Sequence, residues 1–251
     1  MTITAKISGW GNYPIQKSRC MAPPTASSLR AAVNQEGSLL ARGMGRSYGD
    51  SANAHKVLAT SYCNHFIDFD ERTGKLTAES GITLREILTL IVPKGWFLPV
   101  TPGTSYVTLG GAIASDVHGK NHHIAGTFGQ HVTALNLVLG TGEFLTASKH
   151  ENADLFYATC GGMGLTGIII SATIQLIPIR SSFINQKTIK ADCIEAACEL
   201  FEDNNDATYS VAWIDCLAKD KNLGRSVLML GEHANEGALD IEFKEPISVP
   251  F

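Results

Sequence analysis

Between residues 101 and 129 the chain reads TPGTSYVTLGGAIASDVHGKNHHIAGTFG, with six glycines, one proline and three histidines against a single acidic side chain, Asp116. Glycine at this density is unsuited to a long regular element, because each one leaves no side chain to pack and adds backbone freedom that folding must remove. The same property lets backbone amides approach a ligand closely. Residues 101–104 read as a turn, since Pro102 presets φ and Gly103 tolerates the left-handed region. Residues 107–117 then read as a short apolar helix or helical turn, whose first amides are expected to face an anion. The string His118-Gly119-Lys120-Asn121-His122-His123 follows and is the most polar, most reactive part of the chain. This combination suits a ligand with phosphates at one end and a reactive ring at the other.

Two more glycine-rich loops accompany it. Residues 42–50, RGMGRSYGD, follow a short apolar strand expected at 38–41, and residues 161–167, GGMGLTG, precede a long β-branched strand expected at 168–177. Gly162, Gly164 and Gly167 match the spacing of the G-x-G-x-x-G dinucleotide fingerprint. Their context is the reverse of what that fingerprint needs, because a helix precedes them and a strand follows. They read as a loop tightened where backbone passes a neighbour.

The bulk properties exclude several classes. A length of 251 residues and 44% hydrophobic composition supply material for a real core. A net charge of −4 gives no electrostatic footprint for nucleic acid. The most apolar run, 165–179, is interrupted by Thr166, Gly167, Ser171, Thr173, Gln175 and Pro178, so no membrane span is expected. Residues 1–8 have neither the charged nor the apolar region of a signal peptide. Six cysteines without a C-x-x-C pair suit free thiols in a reducing compartment, and a cytoplasmic protein is expected.

Taken in order, Gly9-Trp10-Gly11-Asn12-Tyr13-Pro14 forms an aromatic, turn-rich entry. A helix is expected over 26–35, capped by Ser27 or Ser28 and closed before Gly37. Strands are expected at 56–59, 66–69 and 75–79, then a helix over 83–92 stopped by Pro93 and Gly95. Residues 131–139 and 143–147 read as a hairpin, and 151–160 as a short helix with Leu155, Phe156 and Ala158 inward. A change of texture after Pro178 places a domain boundary there. Beyond it come a strand at 183–190, a helix at 192–202 with Ile194, Ala197, Cys198 and Phe201 inward, and strands at 208–215 and 225–231. That β-α-β-β order reads as the start of an α+β unit with an antiparallel sheet, and the chain therefore reads as C-terminally truncated.

Among chemical constellations, His118, His122 and His123 lack a carboxylate or thiolate partner other than Asp116, and Lys120 would repel a cation, so no metal is expected. No G-x-S-x-G elbow supports a serine hydrolase. Cys193 and Cys198 read as core thiols. Trp213 alternates with Val211 and reads equally as a core residue or a pocket wall.

The three glycine-rich loops in this order resemble the flavin domain of the vanillyl-alcohol-oxidase superfamily. More narrowly, Gly9-Trp10-Gly11, the 118–123 string HGKNHH, Tyr209-Ser210 with Ala212-Trp213, and Leu223-Gly224-Arg225 resemble the decaprenylphosphoryl-β-D-ribose 2-oxidase family. The resemblance implies an α+β fold: a PCMH-type FAD-binding domain of two small α/β subdomains over 1–178, then the beginning of an antiparallel-sheet substrate domain over 179–251. It implies FAD as cofactor. Cofactor contacts are implied at Arg42, Gly43, Met44, Gly45, Arg46, Ser47, Tyr48 and Gly49 in the first loop, and at Gly103, Thr104, Thr108, Leu109, Gly110 and Gly111. Ser115, Asp116, Val117 and His118 follow, with Gly167 and Ile169 from the third loop. Catalytic roles fall to His118 and Lys120, and substrate contacts to Tyr48, Lys120 and Trp213. Many relatives in the superfamily carry, where Arg46 stands, a histidine bonded to the flavin. A guanidinium stays protonated and is no nucleophile, so FAD is expected to be held non-covalently.

The implied reaction is oxidation of the 2-hydroxyl of a polyprenyl-phosphoryl pentose to the keto sugar. This would be the first half of an epimerisation that supplies an arabinan precursor for the cell envelope. Implied partners are the lipid-linked sugar, an NAD(P)H-dependent keto-reductase and, peripherally, the inner face of the membrane; nucleic acid is not among them. A sugar-alcohol or aldonolactone oxidase of the same superfamily, and a flavin-binding fragment without catalysis, are the competing readings.

Overall fold

The computed structural model describes residues 2–241 and divides the chain into two units. The first gathers residues up to Ile87 together with Leu98–Ile177, and the second gathers Leu88–Phe97 with the chain from Pro178 on. The fold is α+β, with helices set against two separate sheets in the first unit and one in the second.

The first unit opens with β1 (Thr2–Ile7) and β2 (Gln16–Met21), an antiparallel hairpin that joins β4 (Lys56–Ala59) and β3 (Leu40–Arg42) in the order β1-β2-β4-β3. β2, β4 and β3 run parallel, so β3 reaches β4 through residues 43–55, which contain the first glycine-rich loop. The hairpin carries little sequence signal because half of its residues are exposed and polar Gln16 and Ser18 stand on covered positions of β2, leaving no alternating apolar face to read.

Between β2 and β3 lies α1 (Ala26–Glu36). Its N-cap is Thr25, not Ser27 or Ser28. The Thr25 side chain accepts from Ser28 N, and the Ser28 hydroxyl accepts from Thr25 N, which completes a capping box. Gly37, at φ +68, ends the helix. Leu29 and Val33 sit four residues apart on the buried stripe and pack with Leu58, Val138, Ile168 and Ile170 into one cluster.

The second sheet of this unit is antiparallel throughout, ordered β5 (Phe66–Asp70), β6 (Lys75–Glu79), β10 (Ile168–Gln175), β8 (Val132–Val138) and β9 (Phe144–Ser148). β10 is central and buried on both faces, which is why it reads as a continuous β-branched run. Short helices α3 (Leu109–Ala114), α4 (His122–Ala125) and α5 (Ala153–Thr159) lie in the segments between strands. In α5, Phe156 is buried and Leu155 half-buried, but Ala158 is exposed, against expectation.

α2 (Leu84–Ile91) spans the passage between the units, and β7 (Trp96–Phe97) and β11 (Ile177–Pro178) are two-residue strands. The second unit holds β12 (Ile184–Ala191), α6 (Ile194–Asp203), β13 (Tyr209–Ile214) and β14 (Ser226–His233), with β14 central in an antiparallel sheet ordered β12-β14-β13. Of the four residues expected inward on α6, Ala197 is buried and Phe201 half-buried, whereas Ile194 and Cys198 are exposed. A three-stranded sheet under a ten-residue helix covers too little surface to bury a full stripe. Trp213 is likewise exposed on β13 and is no core residue. Among the described residues no helix is long and apolar enough to cross a membrane.

Candidate active site

A cavity of about 620 Å³ opens in the first unit, a size that suits an organic cofactor. Its walls come from the end of β3 and the loop that follows, from Thr60 and Ser80, from the segment 102–118 including α3, and from Met163, Gly164, Gly167 and Ile169.

The first loop is held open by contacts at its base. Arg42, half-buried, donates from its guanidinium to Ser8 O at 2.7 Å, Ala52 O at 2.9 Å and Asn53 Oδ1 at 3.0 Å. Burial lowers its pKa, yet an arginine remains charged throughout the working range. Gly45, at φ +65, lets the chain turn over this guanidinium, because a Cβ there would stand 2.3 Å from Arg42 Nη2. With its base tied, the loop presents its backbone. Among the described residues, none of the amides of residues 43–49 donates to a protein group. A run of oriented, unbonded amides is the arrangement that binds a diphosphate without cationic side chains.

α3 does not contribute in the expected way. Its opening amides already have protein partners: Leu109 N donates to Ile82 O and Gly110 N to Ser80 O, each at 2.8 Å, and Gly111 N donates to the capping Thr108 Oγ1 at 3.1 Å. The expectation that these amides face an anion is therefore corrected. They anchor α3 against the turn after β6, and the Thr108 side chain forms part of the wall.

Two buried hydroxyls in the cavity wall, Ser47 Oγ and Ser80 Oγ, have no hydrogen-bond partner. Ser80 is 1% exposed. An orphaned buried hydroxyl costs free energy unless a ligand meets it. The free amides, the two hydroxyls and the cavity volume together fit a dinucleotide cofactor with a pyrophosphate and several acceptors.

The polar string occupies a looped return of the chain. His118 bridges to Thr127 across it, Val117 O accepts from Phe128 N at 2.9 Å, and Asp116 Oδ1 accepts from Gly129 N at 2.7 Å. Asn121, buried, donates to Pro99 O at 2.7 Å. His122 Nδ1 lies 3.2 Å from Gly126 O, and His131 Nε2 lies 2.9 Å from Ala125 O, so these two imidazoles staple the loop. Their engagement leaves His118 as the imidazole at the cavity, with its ring 5.3 Å from that of His122. Among the described residues no group of three metal-ligating side chains is present.

Of the sequence-predicted residues, the cavity wall brings together Arg42, Gly43, Met44, Gly45, Arg46, Ser47, Tyr48, Gly103, Thr104, Thr108, Gly110, Gly111, Ser115, Val117, His118, Gly167 and Ile169. It does not include Gly49, Leu109, Asp116 or Lys120. Leu109 is wholly buried in the core, Asp116 braces the return loop, and Lys120 is exposed beyond His118. Trp213 belongs to the second unit. Trp10, Thr60 and Ser80 line the wall without having been expected.

Comparison with known proteins places this geometry. Residues 25–148 match the family described as FAD binding domain. Along 98% of its length the chain is 35% identical to decaprenylphosphoryl-beta-D-ribose oxidase of Mycolicibacterium smegmatis, covering 56% of that protein. It is 38% identical to an uncharacterised protein of Streptomyces coelicolor over 63% of this chain and 43% of that one. To the Delta(24)-sterol reductase of Homo sapiens it is 30% identical over 61% of its length and 29% of the reductase. The chain spans about half the length of the first two relatives.

Proposed function

This chain belongs to the FAD binding domain family, and from that premise we propose that it is the flavin-carrying part of an oxidoreductase acting on a polyprenyl-phosphoryl pentose. The reaction is oxidation of the sugar 2-hydroxyl to a ketone, on a substrate of the decaprenylphosphoryl-ribose type. The observation that carries the reading is His118. It is the one side chain lining the cavity, among the described residues, of a type that exchanges protons near neutral pH. The relative from Mycolicibacterium smegmatis, which aligns along almost the whole chain, supports the substrate class.

Residues 43–49 would hold the pyrophosphate of FAD by their amides, and Ser47 and Ser80 would donate or accept through their hydroxyls. FAD supplies acceptance of a hydride from the carbinol carbon. His118 takes or polarises the hydroxyl proton through its imidazole. Lys120, on the same exposed return, orients the substrate or meets its phosphate as a point charge. Tyr48 contributes at the mouth of the cavity. The product ketone calls for an NAD(P)H-dependent reductase to complete the epimerisation, and a lipid-linked substrate sets the work at the cytoplasmic membrane face.

Anaerobic mixing of the flavin-loaded protein with a polyprenyl-phosphoryl ribose tests the reading. Bleaching of the flavin band by this compound, and not by free sugar alcohols or aldonolactones, is the expected result. Bleaching by the free compounds instead would transfer the chain to the sugar-alcohol oxidases of the superfamily. No bleaching by any of them would make it a flavin-binding module without catalysis.

A further inference from the structure

The first 49 residues carry six basic side chains and a single acidic one, Glu36, in a chain whose net charge is −4. The fold concentrates part of that charge. In the β1–β2 ladder Lys6 lies directly opposite Lys17, one rung from the hairpin tip, and neither has an ion-pair partner among the described residues. Like charges facing each other across strands are unfavourable unless an anion lies nearby.

The tip itself, residues 8–15, exposes Trp10, Tyr13 and Ile15, with Tyr13 at 80%. It is fixed rather than loose. Trp10 N donates to Ser47 O at 2.8 Å, Asn53 Nδ2 donates to Pro14 O at 3.3 Å, and Gly9 allows the approach because a Cβ there would stand 2.5 Å from Ser47 O. The tip is thereby locked to the first glycine-rich loop, which adds Tyr48, 82% exposed, and Met44. Arg46 lies 5.6 Å above the Trp10 ring. Trp10, Met44, Arg46 and Tyr48 also rim the cavity. Contiguous exposed apolar surface of this kind marks an interaction site. Tryptophan and tyrosine at the end of a cationic hairpin match the layering of a membrane interface, with rings at the headgroup level and cations against lipid phosphates.

We propose that the β1–β2 hairpin and the first loop dock this unit on an anionic lipid bilayer, with the cavity mouth turned toward the lipid. As a route for a membrane-anchored substrate this rests on the function proposed above, whereas the docking itself is measured with no sugar present. Three charges are available to the surface (Lys6, Lys17 and Arg46). Each cation near an anionic bilayer changes partitioning by about fivefold.

The test is co-sedimentation of the chain with vesicles of phosphatidylcholine, with and without phosphatidylglycerol. Binding is expected only with the anionic lipid. It should weaken as salt rises and fall about 25-fold in Lys6→Gln/Lys17→Gln, a variant that leaves the cavity untouched and should keep its flavin. Vesicles should shift tryptophan emission to the blue in wild type and in Trp213→Phe, but not in Trp10→Phe. Equal sedimentation of wild type and the lysine variant, or an unmoved Trp10 emission, overturns the proposal. So does binding that needs polyprenyl phosphate at equal anionic content, which would make the patch a subsite for the substrate tail. A concentration-dependent dimer closed through Trp10 and Tyr13 overturns it as well. A protein that reduces its flavin with a water-soluble short-chain pentose yet ignores vesicles refutes the docking alone; one that binds vesicles without flavin reduction refutes the activity alone.

Discussion

Replacing Gly43 by alanine probes the joint between the first loop and α3. A Cβ on residue 43 would stand 2.3 Å from Thr108 Oγ1 and 3.1 Å from its Cγ2. Gly43 has no left-handed φ, so contact and not backbone strain sets the cost. The hydroxyl would have to retreat by about 1 Å to reach an ordinary contact. That oxygen is the N-cap acceptor for Gly111 N. Swinging it away removes the cap, about 1 kcal/mol, and forces an off-rotamer side chain, about 1 kcal/mol more. Gly43→Ala should therefore destabilise the first unit by about 2 kcal/mol, and Thr108→Ala alone by about 1 kcal/mol. The double variant should cost little more than Thr108→Ala, because the clashing oxygen is already gone. A coupling of about 1–2 kcal/mol is then expected in a double-mutant cycle, measured by urea denaturation of the flavin-free chain. Flavin affinity should fall in Gly43→Ala and recover in part in the double variant. Additivity within about 0.5 kcal/mol would refute the argument, since it would mean that the two residues do not touch.

His118→Ala should keep bound flavin but slow substrate-driven flavin reduction by at least about tenfold in stopped flow, with Lys120→Ala moving substrate binding and rate together. Ser80→Ala should weaken FAD binding by about fivefold to tenfold, the worth of one hydrogen bond, while leaving the flavin-free chain as stable or slightly more so; equal FAD affinity would show that the hydroxyl meets nothing. Acid precipitation should release the flavin into the supernatant, because Arg46 offers no nucleophile, and flavin in the pellet would contradict this. Burial, with a smaller contribution from Glu79, pushes the Cys63 thiol up to about 11 from an ordinary value near 9. Between those values the unfolded thiol has ionised while the folded one keeps its proton, so stability should fall as pH rises through that window, and Cys63→Ala should flatten the decline in urea midpoints.

The first loop was legible because glycine spacing is a local property. Gly43, Gly45 and Gly49 announce a backbone made to approach something, whatever lies opposite. The opening of α3 was misread for the converse reason. Nothing in residues 107–111 reveals that Ile82 and Ser80 supply carbonyls to its first amides, a pairing across nearly thirty residues of chain. Ser80 has no motif and becomes visible only when its hydroxyl is found buried and unpaired. The β1–β2 hairpin escaped because half of its positions are exposed and polar Gln16 and Ser18 are covered, so it lacks the apolar alternation by which strands are recognised. The excursion of Leu88–Phe97 into the second unit also has no local mark, since α2 reads as one continuous amphipathic helix.

The two surfaces of the first unit handle negative charge by different physics, and salt separates them. In the cavity, Arg42 is tied to Ser8, Ala52 and Asn53, so a diphosphate would meet the unbonded amides of residues 43–49 in a walled site. Ions cannot enter between such partners, and affinity there should change little as salt rises. On the hairpin, Lys6 and Lys17 are exposed and act across water, where screening shortens from about 8 Å at physiological salt to about 3 Å at 1 M. Flavin content that persists while vesicle binding disappears along one salt series is what this division of labour requires. If both were lost together, side-chain cations would be holding the flavin as well, and the role given to the amides of residues 43–49 would have to be abandoned.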